Sequence, residues 1–262
     1  MRSFRSLNGF RLSKWYLDCV SEAGDASIIY TGDVDWHGVR IHYSSLLDCT
    51  SGRVTIRRSL RRRNDPELED GLLSWRNKPL HVSAAWRSSS IPLHDTIFEN
   101  TDGAVEWNCV MPWANARICQ RSGLGYVEHV TLTVPPWTLP IRKLRWGRFT
   151  SNSDWIVWID WVGECNRRIA FVNGEASVPL ALSDGRIEFA GGLYLEMDCS
   201  LTIRDGALGS TVLSSIPGVR NSFPARLFQI RECKWRSRAR FGRPGLPAIE
   251  GWAIHEAVGW PE

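Results

Sequence analysis

Turns decide what this chain can become. Asn173-Gly174 stands between Arg168-Ile169-Ala170-Phe171-Val172 and Ala176-Ser177-Val178-Pro179-Leu180. A two-residue Asn-Gly step accepts positive φ at both positions and matches the twist of two antiparallel strands, so it predicts a hairpin. Asp184-Gly185 and Asp205-Gly206 follow, beside Ile187-Glu188-Phe189 and Leu201-Thr202-Ile203. Three such steps in close succession predict an antiparallel meander. In the first half, Ser27-Ile28-Ile29-Tyr30-Thr31, Val39-Arg40-Ile41-His42-Tyr43 and Arg53-Val54-Thr55-Ile56-Arg57 are β-branched or alternating, with Gly or Asp nearby. Long helical periodicity is nearly absent. The expected fold class is mainly β.

Pro135-Pro136-Trp137-Thr138-Leu139-Pro140 interrupts this pattern near the middle of the 262 residues. Proline cannot donate to a strand ladder, so three of them predict a segment crossing between two halves. Gly125-Tyr126-Val127-Glu128-His129 in the first half is echoed by Gly251-Trp252-Ala253-Ile254-His255-Glu256 in the second. The expected organisation is an N-terminal β domain over 1–134, a crossing segment over 135–147 and a second β domain over 148–262. Each would be an antiparallel β-barrel or curled sheet.

Composition narrows the function classes. The chain holds 14 Trp against 5 Tyr. Indoles fill cores, but this many also suit wide, partly open apolar cavities. The net charge is only +4, and the densest basic run, Arg57-Arg58-Ser59-Leu60-Arg61-Arg62-Arg63, is followed directly by Asp65, Glu67, Glu69 and Asp70. That reads as a solvated surface excursion rather than a nucleic-acid groove, which needs basic residues spread along a face with aromatics between them. Seven cysteines (Cys19, Cys49, Cys109, Cys119, Cys165, Cys199 and Cys233) are widely spaced, with no CxxC pair and no His at metal-ligand spacing. They are expected to be reduced, structural thiols. Met1–Val20 lacks the apolar core of a signal peptide, and no run is long enough to span a membrane as a helix. The expected compartment is the cytoplasm, with no integral membrane segment and no nucleic-acid partner. Nothing in the sequence speaks to oligomeric state.

The chemistry concentrates in Gly123-Leu124-Gly125-Tyr126-Val127-Glu128-His129, which runs into Thr131-Leu132-Thr133-Val134. Residues two apart in a strand share a face, so Tyr126 and Glu128 point one way and His129 the other. If their face lines a cavity, Glu128 is the expected general acid, desolvated by apolar walls and so held protonated, with Tyr126 as its partner. The competing reading pairs Glu128 with Arg142 or Arg145. Asp160, inside Trp155-Ile156-Val157-Trp158-Ile159-Asp160-Trp161-Val162, is the second catalytic candidate, because an acid among apolar residues must find a hydrogen-bond partner or neutralise. Trp107, Trp113 and Trp146 are candidate substrate walls whose faces would stabilise a cation, with His129 and Asp35 as further candidates for substrate contact. Asp33 and Asp35 fall on one strand face, but Gly32-Asp33 followed by His37-Gly38 reads equally as a strand end with a polar loop. His255 and Glu256 read as a core or interface pair. His37 and His42 fall on opposite faces and are not expected to share a metal. There is no dinucleotide fingerprint, phosphate loop, serine nucleophile elbow or zinc signature, so neither a metal nor a cofactor is expected.

A Gly-x-Gly-Tyr-x-Glu strand in a Trp-rich chain of two β halves resembles the carotenoid 1,2-hydratase (hydroxyneurosporene synthase) and AttH-like group. Lys14-Trp15-Tyr16-Leu17-Asp18-Cys19-Val20 is similar to that group's opening strand. The resemblance implies tandem lipocalin-like domains and a family that extends to cyclases and pericyclases of natural-product pathways. It also implies that Tyr126 and Glu128 lie in a cavity where the acid protonates an alkene. The hydratases carry Asp where this chain has Glu128, and Glu106-Trp107 is the nearest match to their His-x-Trp pair. The expectation is a cofactor-independent hydratase, cyclase or isomerase of a hydrophobic, unsaturated small molecule. The alternative is a non-catalytic carrier of an apolar ligand, since such barrels also bind without transforming.

Overall fold

The computed structural model describes residues 9–61, 65–211 and 223–261. Of the basic run, Arg62 and Arg63 lie outside the described residues. The chain divides into two compact units, Met1–Leu139 and Pro140–Glu262. In the first unit the strands are β1 (Phe10–Val20), β2 (Ala26–Trp36), β3 (Val39–Thr50), β4 (Arg53–Ser59), β5 (Glu67–Glu69), β6 (Leu72–Asn77), β7 (Val82–Arg87), β8 (Leu93–Asn100), β9 (Gly103–Ile118) and β10 (Arg121–Leu132). They form one antiparallel sheet in the order β4-β3-β2-β1-β10-β9-β7-β6-β5, with β8 also paired to β9. The strand pairing that joins the two ends of the unit is β1 against β10.

The second unit repeats the plan. Its strands are β11 (Ile141–Thr150), β12 (Trp155–Gly163), β13 (Arg167–Val172), β14 (Glu175–Ala176), β15 (Pro179–Leu182), β16 (Arg186–Phe189), β17 (Tyr194–Met197), β18 (Leu201–Ala207), β19 (Arg231–Gly242) and β20 (Ile249–Gly259). Their order is β14-β13-β12-β11-β20-β19-β17-β16-β15, with β18 on β19. Among the described residues between β18 and β19 are two short helices, α1 (Leu208–Thr211) and α2 (Ala225–Gln229). Both units are antiparallel sheets, one of them a curled half-barrel, and the mainly β expectation holds.

The hairpin signals resolve individually. Asn173 and Gly174 take φ of 52° and 94° and join β13 to β14 as expected. Asp184-Gly185 turns β15 into β16. Asp205-Gly206 does not turn the chain: both residues lie inside β18, paired with Cys233 and Glu232 of β19, and Gly206 is accommodated at a φ of 146°. The run Ala176–Leu180 is likewise split between β14 and β15. Between β10 and β11 the prolines make a turn in which Thr138 donates to Pro135 O from both its amide and its hydroxyl. β11 begins at Ile141, inside the stretch expected to cross.

Each sheet buries a core on one face. In the first unit Leu17, Ile29, Leu46, Trp75, Trp86, Met111 and Val127 belong to one cluster. In the second, Phe149, Ile156, Trp158, Phe189, Phe241 and Ala253 do the same. The arginines of β4 are mostly exposed, which suits its place at the sheet edge, where charge discourages pairing with other strands. All seven thiols are free. Among the described residues, no helix is long and apolar enough to cross a membrane.

Candidate active site

Because Val127 belongs to the core cluster, Tyr126 and Glu128 project from the opposite face of β10. That face is nevertheless buried: Tyr126 is 0% exposed and Glu128 is 4% exposed. Tyr126 Oη donates to Glu128 Oε2 at 2.8 Å, and Trp107 Nε1 donates to the same oxygen at 2.7 Å. Burial pushes the Tyr126 phenol well above its ordinary range, reinforced by the neighbouring Cys109 and Glu128, so it keeps its proton and remains a donor. Cys109 lies against Tyr126, and burial pushes its thiol well up too, leaving it no thiolate reactivity near neutral pH.

The local path of β9 aims these groups. Glu128 pairs with Cys109 and Val127 with Met111, which leaves Val110 as an extra residue. Gly125 then pairs with Ala114, so Pro112 and Trp113 together oppose Tyr126. Pro112 has no N–H to offer the ladder, and a bulge there costs no hydrogen bond that was available. Trp113 therefore sits at the bulge facing Tyr126, with its carbonyl accepting from Ser88 Oγ at 2.5 Å.

β1 supplies a second pair that the sequence reading passed over as a site. Tyr16 and Asp18 repeat the spacing of Tyr126 and Glu128, and the antiparallel register sets Tyr16 opposite Glu128 and Asp18 opposite Tyr126. Tyr16 Oη donates to Asp18 Oδ2 at 2.9 Å, and both residues are fully shielded from solvent. The Tyr16 and Tyr126 rings stand edge to face at 6.0 Å. The signal was present as a repeated Tyr-x-acid; Cys109, by contrast, needed the bulge to bring it in.

The remaining candidates are placed elsewhere. His129 is on the core side, stacked on Trp15 at 4.5 Å and bonded to Ser13 Oγ at 2.9 Å. Asp35 pairs with Arg40 at 2.7 Å across β2 and β3. Asp160 and Trp146 belong to the second unit. Asp160 has found its partners, Arg145 and Arg168, each at 3.0 Å. Arg145 also holds Asp184, so of the two arginines weighed as mates for Glu128 this one is engaged within its own unit. Trp146 lies under Lys234, whose Nζ is 5.4 Å from the ring centre. Among the described residues, no group of three or more His, Cys, Asp or Glu is placed to hold a metal ion.

No family model matches the chain, and no curated protein matches it. Solved structures do. CghA superposes with a TM-score of 0.59 at 11% identity, covering 98% of this chain and 93% of that one. Its complex with Sch210972 gives 0.58 over 96% and 89%. A protein assigned as AttH from Nitrosomonas europaea gives 0.54 at 11% identity over 98% and 95%. Kievitone hydratase from Nectria haematococca gives 0.52 at 9% identity over 97% and 90%. The chain therefore has the tandem lipocalin-like fold that these proteins share.

Proposed function

We propose that this chain is a cofactor-independent enzyme that hydrates, cyclises or isomerises a hydrophobic, unsaturated small molecule, with Glu128 as its general acid and base. The observation that carries the reading is the convergence of two lasting donors, Tyr126 and Trp107, on one oxygen of a buried carboxyl group. Oε2 accepts both hydrogen bonds, and the two donors fix the direction in which the carboxyl group faces. Around it stand the rings of Tyr16, Tyr126 and Trp107, whose faces favour positive charge of the kind that builds on protonating a C=C bond. Tyr126 and Trp107 orient the acid; Asp18 and Tyr16 hold the adjoining strand in place. The fold is compatible, since it has been solved with a small molecule, as CghA with Sch210972, and in a protein named kievitone hydratase.

The test is mass spectrometry of solvent extracts from the wild type and Glu128→Gln, each purified from the native host. The expected result is a compound retained by the variant that wild type converts to an isomer or to a species one water heavier. Full turnover by Glu128→Gln would overturn the assignment of the acid. The same unchanged compound in both proteins would mean a carrier, with the carboxyl group only part of its lining.

A further inference from the structure

Four of the five tyrosines, Tyr16, Tyr30, Tyr43 and Tyr126, stand on the face of the first sheet that carries Glu128. Two cross-strand rows order this face. One runs Glu128, Tyr16, Tyr30, Ser45, and the next runs Val130, Lys14, Gly32, Tyr43. At their β3 end, Ser45 Oγ and Tyr43 Oη are shielded from solvent and have no hydrogen-bond partner among the described residues. Ser45 is 0% exposed. Its neighbour Ser44, on the opposite face, shows the ordinary solution: a 2.9 Å hydrogen bond to Thr31 Oγ1. A buried hydroxyl without a partner is costly and rare, and two of them side by side on one face point to a group supplied from outside the chain.

The surroundings define what that group is. Lys14 reaches the same face, with Nζ 5.5 Å from the centre of the Tyr30 ring. Between Lys14 and Tyr43 the row holds Gly32, where a Cβ would come within 2.5 Å of Ser13 O. No side chain can therefore stand between the ammonium and the phenol. Lys14 can only donate and both hydroxyls are able to, so the group that suits all three is an oxygen acceptor such as a carbonyl or carboxylate.

We propose that Tyr43, Ser45 and Lys14 form a subsite that anchors a carbonyl or carboxylate oxygen of the substrate, remote from the atom that Glu128 protonates. The inference rests on the reading of this face as the site for an apolar, unsaturated ligand. Three strand spacings, about 14 Å along the sheet, separate the backbones of Glu128 and Ser45, so the anchored oxygen lies away from the reacting carbon. The substrate is then an elongated molecule with a polar terminus, not a compact hydrocarbon.

The probes are cis-parinaric acid, its methyl ester and the conjugated octadecatetraene hydrocarbon of equal length, titrated against the quenching of tryptophan fluorescence. Wild type is expected to bind the acid, the ester or both at least about ten-fold more tightly than the hydrocarbon, since a site built for an oxygen rejects an analogue lacking it. The pair that gains identifies the oxygen, and Lys14→Met should weaken the acid more than the ester. Tyr43→Phe combined with Ser45→Ala should erase the preference while leaving hydrocarbon affinity and melting temperature unchanged, because neither hydroxyl is bonded within the fold. Equal binding of all three probes by wild type, or an undiminished preference in the double variant, would overturn the subsite while leaving the apolar site standing. Failure of every probe to bind would overturn both.

Discussion

Glu128 differs from Asp160 and Asp35 in the donors that meet it. Asp160 and Asp35 are met by arginines, whereas Glu128 meets an indole and a phenol on the same oxygen. Neutral donors of this kind orient a carboxyl group for proton transfer. Tyr126→Phe and Trp107→Phe each remove one donor and keep a ring in place. Each is expected to lower turnover of the compound identified from extracts by about ten- to hundred-fold. The double variant should lose less than the product of the two, because both donors serve one atom; steady-state kinetics on the four proteins checks this. At this scale the sequence exposed Tyr126, Glu128 and Trp107. Tyr16 and Asp18 were half visible as a repeated spacing. Cys109 and the two orphaned hydroxyls were not visible, since nothing local marks a hydroxyl that lacks a partner.

At the level of strands, the site depends on how closely β1 and β10 approach. A Cβ at Gly125 would fall 2.3 Å from Asp18 O and 2.6 Å from Ala116 Cβ, and one at Gly123 would fall 2.0 Å from Val20 O. The Gly123-Leu124-Gly125 step thus has a packing reason and no connection with nucleotides. Gly125→Ala should cost at least about 3 kcal/mol, since backbone on one side and a packed methyl on the other leave nothing flexible to yield. Urea denaturation measures the loss, and a cost below 1 kcal/mol, the scale of a tolerated surface change, would contradict it. The bulges of β9 were legible only in part. Pro112 announces that the ladder breaks, but the extra residue at Val110 follows from the register of two long strands. Asp205-Gly206 teaches the converse. A strong local turn signal yielded to pairing along β19, because a strand that already has a partner gains more from continuing than from turning.

Over the whole molecule, the two units are a repeat whose faces have diverged. The echo noticed in sequence is structural: His129 pairs with Trp15 and His255 with Gly147, while Tyr126 pairs with Asp18 and Trp252 with Thr150. In corresponding places the second unit carries Ile254 for Glu128, Arg148 for Tyr16 and Lys234 for Trp107. The groups proposed for proton transfer thus have no counterpart at these positions of the second unit. His255 is bonded to Ser237 Oγ at 2.8 Å and stacked on Trp235 at 5.1 Å. Burial lowers its pKa from 6.5 to about 4. The unfolded chain takes up this proton before the folded one does, so the stability contributed by the neutral ring is complete above pH 6.5 and is lost as pH falls toward 4. The loss at full effect is about 3 kcal/mol. Hydrogen exchange at pH 7 and 4.5, corrected for intrinsic rates, should show protection falling in Pro140–Glu262 first, and His255→Gln should flatten that dependence. Equal loss in both units would refute it. What the sequence determined by itself was the mainly β class, the two halves and the pairing of a phenol with an acid, because side-chain alternation and turn chemistry act within a few residues. The tertiary structure alone decided which face of each sheet is core, that Tyr16 and Asp18 meet Tyr126 and Glu128, and which buried hydroxyls lack a partner. Those outcomes depend on register between strands more than a hundred residues apart in the chain, and register is fixed only when the whole sheet packs.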